Sequence, residues 1–407
     1  MHAQVGSPRQ TSNMLSGILF WFCLQLGRVD ARFEALNNFL KDQRNGRYGN
    51  FSMTLGTVDG EVFEYSSYNG KDNKTMTRDV RLLLGSGSKW CASTALLAMI
   101  HHAGVDLDAP INRYLDWWTK DPKDMRSKAS LRHFLTMTSG MVTDGTDSVL
   151  NGTDQKVRHD YGLKRYAVWG ACTVLPFTTH TDCVKALYEA SPALYAPGEY
   201  FMYATLTFQF VAAAMEAVLK RPISSLLEDY FLKPLDMKGP WTPARKPILG
   251  AGLTASADEL GRFLQVMLQR SFLPPALHDE QEQVATQPAQ YSTQNAIFGP
   301  YGMGLWSECI NGGSTFPNAC RKAQRFNHPG CFGYWNYISR RDGYYFNYLP
   351  SFVCDESNNW CDTGIKPNIS EPEACPQLTP ASTFRTNIAL YLDDEFVGSQ
   401  LLDNMIV

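Results

Sequence analysis

The sequence lacks a charge excess of either sign. Its 407 residues include 37 Lys and Arg against 40 Asp and Glu, a formal net charge of −3. A dedicated nucleic-acid binder needs a basic surface to neutralise phosphates, and a protein held on acidic lipid needs a similar patch. The composition therefore predicts no nucleic-acid partner and no polyanionic one. With 44% hydrophobic and 19% charged residues, the chain should nevertheless fold over most of its length.

Short motifs of several familiar chemistries are also missing. The sequence contains no G-x-S-x-G, Walker A, H-E-x-x-H or G-x-G-x-x-G pattern, which disfavours α/β-hydrolase, P-loop, metalloprotease and dinucleotide-binding functions. Neither a C-x-x-C pair nor a zinc-type Cys/His spacing occurs, so we expect no metal and no cofactor. Internal repeats and linkers rich in Pro, Gly or Ser are absent too, which favours one integrated unit.

The amino terminus carries an apolar run that is too short for a membrane span. Arg9 precedes the run Met14–Leu26, and Val29-Asp30-Ala31 offers small residues for cleavage. A spanning helix needs roughly 20 apolar residues. We therefore expect residues 1–31 to be a signal peptide, with an uncleaved signal anchor or a buried amphipathic helix as alternatives. The mature protein is expected to be secreted and to have no stable membrane association.

The ten cysteines agree with a secretory route. Loss of Cys23 with the signal peptide would leave an odd number and hence at least one free thiol. Six cysteines lie between Cys309 and Cys375, where spacings such as Cys354 to Cys361 suit short disulfide-closed loops. Sequons for N-glycosylation occur at Asn50, Asn73, Asn151 and Asn368. Their number is close to the chance expectation, but it is compatible with a glycoprotein.

Periodicity predicts an α+β fold. Strands are expected on both sides of Asp59-Gly60 (Phe51–Tyr65) and of Asp342-Gly343 (Tyr334–Leu349). Helical patterns dominate between these two regions. The predicted helices are Arg32–Leu40, Trp90–Ala103, Ser130–Met137, Cys183–Glu189, Leu206–Leu219, Ile223–Phe231, a helix to Leu268 opened by the Ser256-x-x-Glu259 capping box, and Thr383–Leu392.

This order predicts an antiparallel sheet built from the two ends of the chain. Residues 32–407 would form one domain, with a sheet part at about 32–85 and 246–407 and a mostly helical part at about 86–245. A seam between such parts is a common place for an active site.

Ser86 and Lys89 form an S-x-x-K motif where a helical pattern begins. The three-residue offset places both side chains on one helix face. Free N–H groups at a helix start can stabilise an oxyanion at Ser86, and Lys89 can accept the serine proton if burial or a second cation lowers its pKa. The motif alone is common on ordinary helices, where Ser and Lys are simply solvated.

The surroundings of this motif resemble a known family. The order of segments is similar to that of the serine β-lactamase and penicillin-binding-protein superfamily, in particular its class C β-lactamase-like esterases and peptidases. The segments are Leu84–Lys89, Leu135–Met141, Pro197–Thr205, Phe231–Met237, Ala251–Leu260, Tyr301–Trp306 and His328–Gly330. The resemblance leaves the cysteine-rich stretches near Cys172 and from Cys309 to Cys375 poorly covered.

The resemblance implies a role for each matching residue. Ser86 would be the nucleophile of an acyl-enzyme, Lys89 would hold the proton network, and Tyr203 would act as general base or proton relay. His328 would belong to the family's third motif, His328-Pro329-Gly330, and would help Lys89 to lower the pKa of Tyr203. The oxyanion hole would consist of the backbone N–H groups of Ser86 and Cys331, the residue after Gly330.

Departures from the family pattern point to the substrate. Thr205 replaces an Asn that would bind Lys89 or a substrate amide, and His328-Pro329-Gly330 replaces Lys-Thr-Gly. A histidine titrating near 6.5 holds a substrate carboxylate less well than lysine does. The expected partner is therefore a small neutral acyl compound, cleaved by an esterase or transacylase. A peptidase acting on D-residues or small peptides, a β-lactamase, and an inactive binding or self-assembling protein remain alternatives. Pro329 predicts that its strand lies at a sheet edge.

Overall fold

The computed structural model describes residues 33–44, 50–69, 74–141, 165, 167–285, 300–308, 324–330, 333–351, 354–355, 360–361 and 392. A seven-stranded sheet runs in the order β3-β2-β1-β9-β8-β7-β6, and all of its neighbouring strands are antiparallel. Its strands are β1 (Asn50–Thr57), β2 (Gly60–Asn69), β3 (Lys74–Met76), β6 (Trp306–Glu308), β7 (Arg325–Pro329), β8 (Trp335–Ser339) and β9 (Tyr344–Ser351). Two further pairs join β4 (Leu82–Leu83) to β5 (Thr254–Ala255) and β10 (Cys354–Asp355) to β11 (Trp360–Cys361).

The sheet joins the two ends of the chain, as the sequence predicted. Strand β1 pairs with its hairpin partner β2 on one side and with β9 on the other. Alternate side chains of β1 face opposite layers: Phe51 and Met53 enter an aromatic cluster, whereas Thr54 reaches the backbone of Ala257 beneath the sheet. Both faces are buried, and Thr54 is accommodated on the second face because its hydroxyl has hydrogen-bond partners there.

The helices cover both faces of the sheet and form the middle of the chain. They are α1 (Glu34–Arg44), α2 (Ser88–His102), α3 (Leu131–Leu135), α4 (His180–Glu189), α5 (Phe208–Leu219), α6 (Ile223–Leu227), which continues as a π-helical turn at Glu228–Leu232, α7 (Ala257–Gln269) and α8 (Pro275–Glu282). Residues 167–174 are helical as well. None of the described helices is both long enough and apolar enough to cross a membrane.

Helix ends follow local capping chemistry. The predicted capping box opens α7, where Ser256 Oγ accepts from the Glu259 N–H and the Glu259 carboxylate accepts from the Ser256 N–H. Ser130 caps α3 in the same way, but this helix ends at Leu135, before the predicted Met137, because Met137 has a positive φ of 58°. The predicted helix Thr383–Leu392 lies outside the described residues except for Leu392, which is buried against the sheet.

The prediction that Pro329 marks an edge strand is wrong for the strand as a whole. Strand β7 lies between β8 and β6. However, β6 is only three residues long and its register with β7 stops at Asn327. His328 and Pro329 therefore extend past the last β6 partner, and Pro329, which has no N–H to give, continues its pairing on the β8 side only.

The described residues include both disulfide-bonded and free cysteines. A disulfide joins Cys172 to Cys183, while Cys91 is a buried free thiol. Strands β10 and β11 place Cys354 opposite Cys361 in register, and the other cysteines between 309 and 375 lie outside the described residues.

The sequon at Asn50 does not suit a glycan, because this side chain is 4% exposed within β1. The asparagines of the other three sequons and the whole signal segment lie outside the described residues.

Candidate active site

Ser86 lies in a tight turn that leads into α2. The chain leaves β4 at Leu83, forms a 3₁₀ turn at Gly85–Gly87 and continues directly into the helix at Ser88. Gly85 has a φ of +55°, which glycine adopts without steric cost. Lys89, one residue into α2, places its Nζ 2.9 Å from Ser86 Oγ, and its side chain is fully buried. The contact expected from the S-x-x-K spacing is present.

Small residues let the end of β7 and the following loop pack tightly on this turn. A Cβ on Gly330 would lie 2.1 Å from the carbonyl oxygen of Leu84, and one on Gly87 would lie 2.1 Å from the ring of Tyr334. Both distances are far below van der Waals contact, so glycine is required at each position. These approaches bring the third motif alongside Ser86.

The amine of Lys89 has an acceptor that sequence reasoning missed. Its Nζ lies 2.9 Å from the carbonyl oxygen of Gly250, whereas Thr205 Oγ1 is farther away, at 3.4 Å. The shorter contact shows that a backbone carbonyl fills the place expected of the residue at 205. Gly250 reaches this position because it has no Cβ: one would lie 2.3 Å from the Thr205 carbonyl oxygen. The sequence signal was the Gly250-Ala251-Gly252 run just ahead of Leu253.

Tyr203 connects Lys89 to His328. The Lys89 Nζ lies 4.6 Å from the centre of the Tyr203 ring, and Tyr203 Oη lies 3.5 Å from His328 Nε2. The indole of Trp306 stacks on the tyrosine ring with centroids 5.7 Å apart and planes 19° from parallel. Aromatic packing thus fixes the ring, while its hydroxyl remains directed at the imidazole.

His328 is completely buried, and its surroundings define its tautomer. Nδ1 lies 3.0 Å from the carbonyl oxygen of Pro329. A carbonyl only accepts, so Nδ1 carries the hydrogen and Nε2 presents its lone pair. Burial, together with the nearby charge of Lys89, holds the pKa of His328 well below its ordinary value, against the opposing effect of the Pro329 carbonyl. The imidazole is therefore neutral at pH 7.

A second tyrosine shares that lone pair. Tyr301, which comes from a different segment of the chain than Tyr203, places its Oη 3.3 Å from His328 Nε2. The residue is fully buried against Trp306. Sequence reasoning placed Tyr301 in a landmark segment but gave it no role. Nε2 has a single lone pair and accepts one well-aligned hydrogen bond, so the hydroxyls of Tyr203 and Tyr301 compete for it.

The structure thus brings together Ser86, Lys89, Tyr203 and His328, with Thr205 at the margin of hydrogen bonding and Gly330 packed against the serine turn. Cys331 lies outside the described residues, so only one of the two predicted oxyanion-hole donors, the Ser86 N–H, is on the described chain. Within the described ranges, no three His, Cys, Asp or Glu side chains converge in a way that could hold a metal ion.

This arrangement can carry a proton away from a serine. The hydroxyl is hydrogen-bonded to a buried amine, and the amine lies against a phenol whose hydroxyl faces a neutral imidazole, which accepts at Nε2 from Tyr203 or Tyr301. A nucleophile within hydrogen-bond reach of a base, which is itself oriented by further groups, is the geometry that activates serine.

Comparison with known proteins agrees with the geometry. The Beta-lactamase family model matches residues 42–351. The comparison with curated proteins returned no match.

Solved structures show the same fold at low identity. EstCE1, a hydrolase with promiscuous acyltransferase activity, superposes with a TM-score of 0.60 at 16% identity, covering 87% of this chain and 98% of that one. A β-lactamase from Mycobacterium bovis gives 0.52 at 16% identity, with 76% and 90% covered. The octameric penicillin-binding protein homologue from Pyrococcus abyssi gives 0.57 at 14% identity, with 89% and 79% covered. The α+β class and the architecture predicted from the sequence are confirmed.

Proposed function

Because the chain belongs to the β-lactamase family, we propose that it is a serine hydrolase that forms an acyl-enzyme on Ser86 and cleaves esters or amides with a neutral acyl group. The main support is the 2.9 Å contact between the Ser86 hydroxyl and the buried amine of Lys89, next to a third motif whose histidine is neutral.

The proposed reaction has two steps. In the first, Ser86 Oγ attacks the acyl carbon, its proton passes to Lys89 or Tyr203, and the leaving alcohol or amine departs with a proton from the same relay. In the second, water or another alcohol attacks the acyl-serine, loses its proton to the relay, and Ser86 regains one. The Ser86 N–H would stabilise the negative oxygen that forms on the acyl group in each step.

The preference for a neutral acyl group follows from the charge at His328. A lysine at this place would offer a permanent cation to a substrate carboxylate, whereas His328 offers a lone pair at Nε2 that is already shared by two phenols. A substrate carboxylate placed there would face the lone pair of Nε2, and no cation would offset the free energy that the carboxylate loses on leaving water. Esters, neutral amides or lactones carry no such penalty. An esterase or transacylase is therefore favoured over a peptidase or β-lactamase.

We also propose that the protein is secreted and acts on a small acyl compound in an oxidising compartment. The disulfide between Cys172 and Cys183 supports this location, since such bonds persist mainly outside the cytosol. Sequencing the amino terminus of the mature protein tests it: a start near residue 32 is expected, and an intact Met1 on cytosolic protein would contradict the proposal.

The nucleophile is tested by intact mass after treatment with a fluorophosphonate, with accessible cysteines blocked beforehand. We expect one adduct on the parent and none on Ser86→Ala. Ser88→Ala is a matched control two residues further on, because the Ser88 hydroxyl accepts from the Leu253 N–H; it should keep the adduct. An unlabelled but folded parent would instead favour the inactive binding protein.

Substrate preference is tested with p-nitrophenyl esters of matched chain length, with and without a terminal carboxylate. The neutral ester should react with a kcat/KM at least about tenfold higher, the factor that corresponds to 1.4 kcal/mol. Equal rates would contradict the assignment to neutral acyl groups while leaving the nucleophile intact.

A further inference from the structure

The carbonyl of Gly250 is a backbone acceptor of Lys89 at 2.9 Å, so the contacts that hold Gly250 help to set the direction of the catalytic amine. Gly250 belongs to the loop 242–252, whose backbone bonds close it on itself: the Thr242 N–H donates to Gly252 and the Gly252 N–H donates to Ile248. The neighbouring Trp241 donates its indole N–H to the Leu249 carbonyl at 3.2 Å, and Gln209 and Lys246 attach the loop to more distant parts of the chain.

The first attachment is Gln209, which is fully buried in α5. Its Nε2 donates to the Pro247 carbonyl at 2.8 Å, and its Oε1 accepts from the Leu249 N–H at 3.2 Å. The loop is thereby fixed to the helix that follows Thr205.

The second attachment is Lys246, a buried lysine outside the catalytic cluster that is 4% exposed. Its three ammonium hydrogens have three close acceptors: the carbonyl of Cys172 at 2.9 Å, the carbonyl of Leu175 at 2.6 Å and Thr178 Oγ1 at 2.6 Å. The charge of Lys246 contributes to lowering the pKa of the Asp182 carboxyl, but within the described ranges the ammonium is held by these uncharged acceptors. A buried charge of this kind is stabilised only if every acceptor stays in place.

All three acceptors lie in the short loop that the Cys172–Cys183 disulfide closes. Cys183 is part of α4, so the disulfide fixes the loop to that helix. Thr178 Oγ1 also donates to the Cys172 carbonyl at 2.9 Å, which tightens the loop around the ammonium.

We propose that Lys246 and the disulfide-closed loop 172–183 are a positioning device for the active site: by anchoring the loop 242–252, they aim the Gly250 carbonyl at Lys89 and keep its amine directed at Ser86. Only four positions separate Lys246 from Gly250. Without the ammonium, the loop would keep its contacts with Gln209 and Trp241 but lose its attachment to the disulfide-closed loop. Lys246 is thus a positioning residue for the reaction, and the inference rests on the proposed function.

The test compares Lys246→Met with the parent in the second-order rate of Ser86 labelling by a fluorophosphonate, measured across pH. We expect a loss of about 10- to 100-fold per folded molecule, since a displacement near 1 Å far from the reacting atoms can cost about 100-fold. We also expect the pH midpoint of labelling to move, because the acceptor of Lys89 is displaced. A purely structural role would reduce the folded fraction and leave both readouts unchanged.

Lys185→Met is the matched control, because Lys185 follows Cys183 by two residues in α4 but its Nζ lies over the Trp117 ring. It should label like the parent. If Lys246→Met does not fold, Thr178→Val is tested in its place, because it removes one acceptor of the Lys246 ammonium and keeps the disulfide. We expect a smaller loss in the rate of Ser86 labelling for this variant. A parent without label refutes the proposed function. A labelled parent whose folded variant reacts at the same rate, with the same pH profile, overturns the positioning role alone.

Discussion

His328 Nδ1 lies 3.0 Å from the carbonyl oxygen of its own neighbour, Pro329. The contact assigns the ring hydrogen to Nδ1, so Nε2 is the acceptor for Tyr203 and Tyr301. The third motif therefore does the opposite of a lysine: it accepts a hydrogen bond where the family pattern would donate one.

Acylation should fail in acid because His328 gains a proton there. The pKa of His328 lies well below 6.5, so the ring is neutral near pH 7 and takes up a proton only in distinctly acidic solution. Protonation fills the Nε2 lone pair and places a second cation near Lys89. The labelling rate of Ser86, measured from pH 8 to pH 4, should show an acid limb that His328→Asn alters. His101→Asn, an exposed histidine at the end of α2, should leave the limb unchanged.

The same residue should make the fold less stable in acid. A histidine whose pKa is lower in the folded than in the unfolded state contributes stability that is complete above about 6.5 and is lost as pH falls towards the folded value. His278, whose pKa burial lowers to about 4, adds to the effect in the same window. Thermal unfolding at pH 7.5 and pH 5 should show a smaller decrease in Tm for His328→Asn than for the parent. Equal decreases would mean that His328 is protonated in the folded chain.

Thr205→Val should have little effect on acylation. The Thr205 hydroxyl lies 3.4 Å from the Lys89 Nζ, whereas the Gly250 carbonyl lies at 2.9 Å. A long hydrogen bond contributes at the low end of about 0.5–1.5 kcal/mol, so kcat/KM for a p-nitrophenyl ester should stay within about threefold. A loss of 100-fold with the fold intact would show that the hydroxyl, and not the carbonyl, directs the amine.

Gly330→Ala should damage both stability and acylation. The new methyl group would lie 2.1 Å from the Leu84 carbonyl oxygen, two residues before Ser86. We expect a cost of about 1–3 kcal/mol in the free energy of unfolding, together with slower labelling, because the serine turn must move. Gly170→Ala is the control. It lies in a helical segment with no heavy atom within 4 Å of the added Cβ, and it should gain about 0.5–1 kcal/mol. Equal behaviour of the two variants in urea unfolding would contradict this packing.

Replacing both Cys172 and Cys183 by Ala should destabilise the protein by about 3 kcal/mol, the chain-entropy value for a loop of this length. The separation of 11 residues sets that value. Denaturant unfolding under non-reducing conditions measures it. A change well below 1 kcal/mol would show that Lys246 holds the loop closed without the covalent bond.

The sequence predicted the parts of the site that depend on side-chain chemistry in short motifs. The offset between Ser86 and Lys89 fixes their contact through helix geometry, and the capping box at Ser256 fixes the start of α7. Strand pairing between the chain ends followed from two hairpin turns with alternating residues on each side.

The parts that the sequence did not reveal depend on backbone atoms and on packing. Any residue has a carbonyl, so the Gly250-Ala251-Gly252 run could indicate a close backbone approach but not that the Gly250 carbonyl is an acceptor of Lys89. The role of Tyr301 depends on a hydroxyl that reaches His328 from a distant loop. The edge position predicted from Pro329 failed for the strand because β6 pairs with the first part of β7, although β6 stops before the proline.

The pairing of β1 with β9 has a consequence for synthesis of the chain. Thr54 and Asn347, which contact each other across these strands, are 293 positions apart. At about 5–20 residues per second, a ribosome needs roughly 15–60 s to make the stretch between them. During that time the first hairpin has an open edge, so newly made chains depend on whatever shields that edge until the last strands arrive.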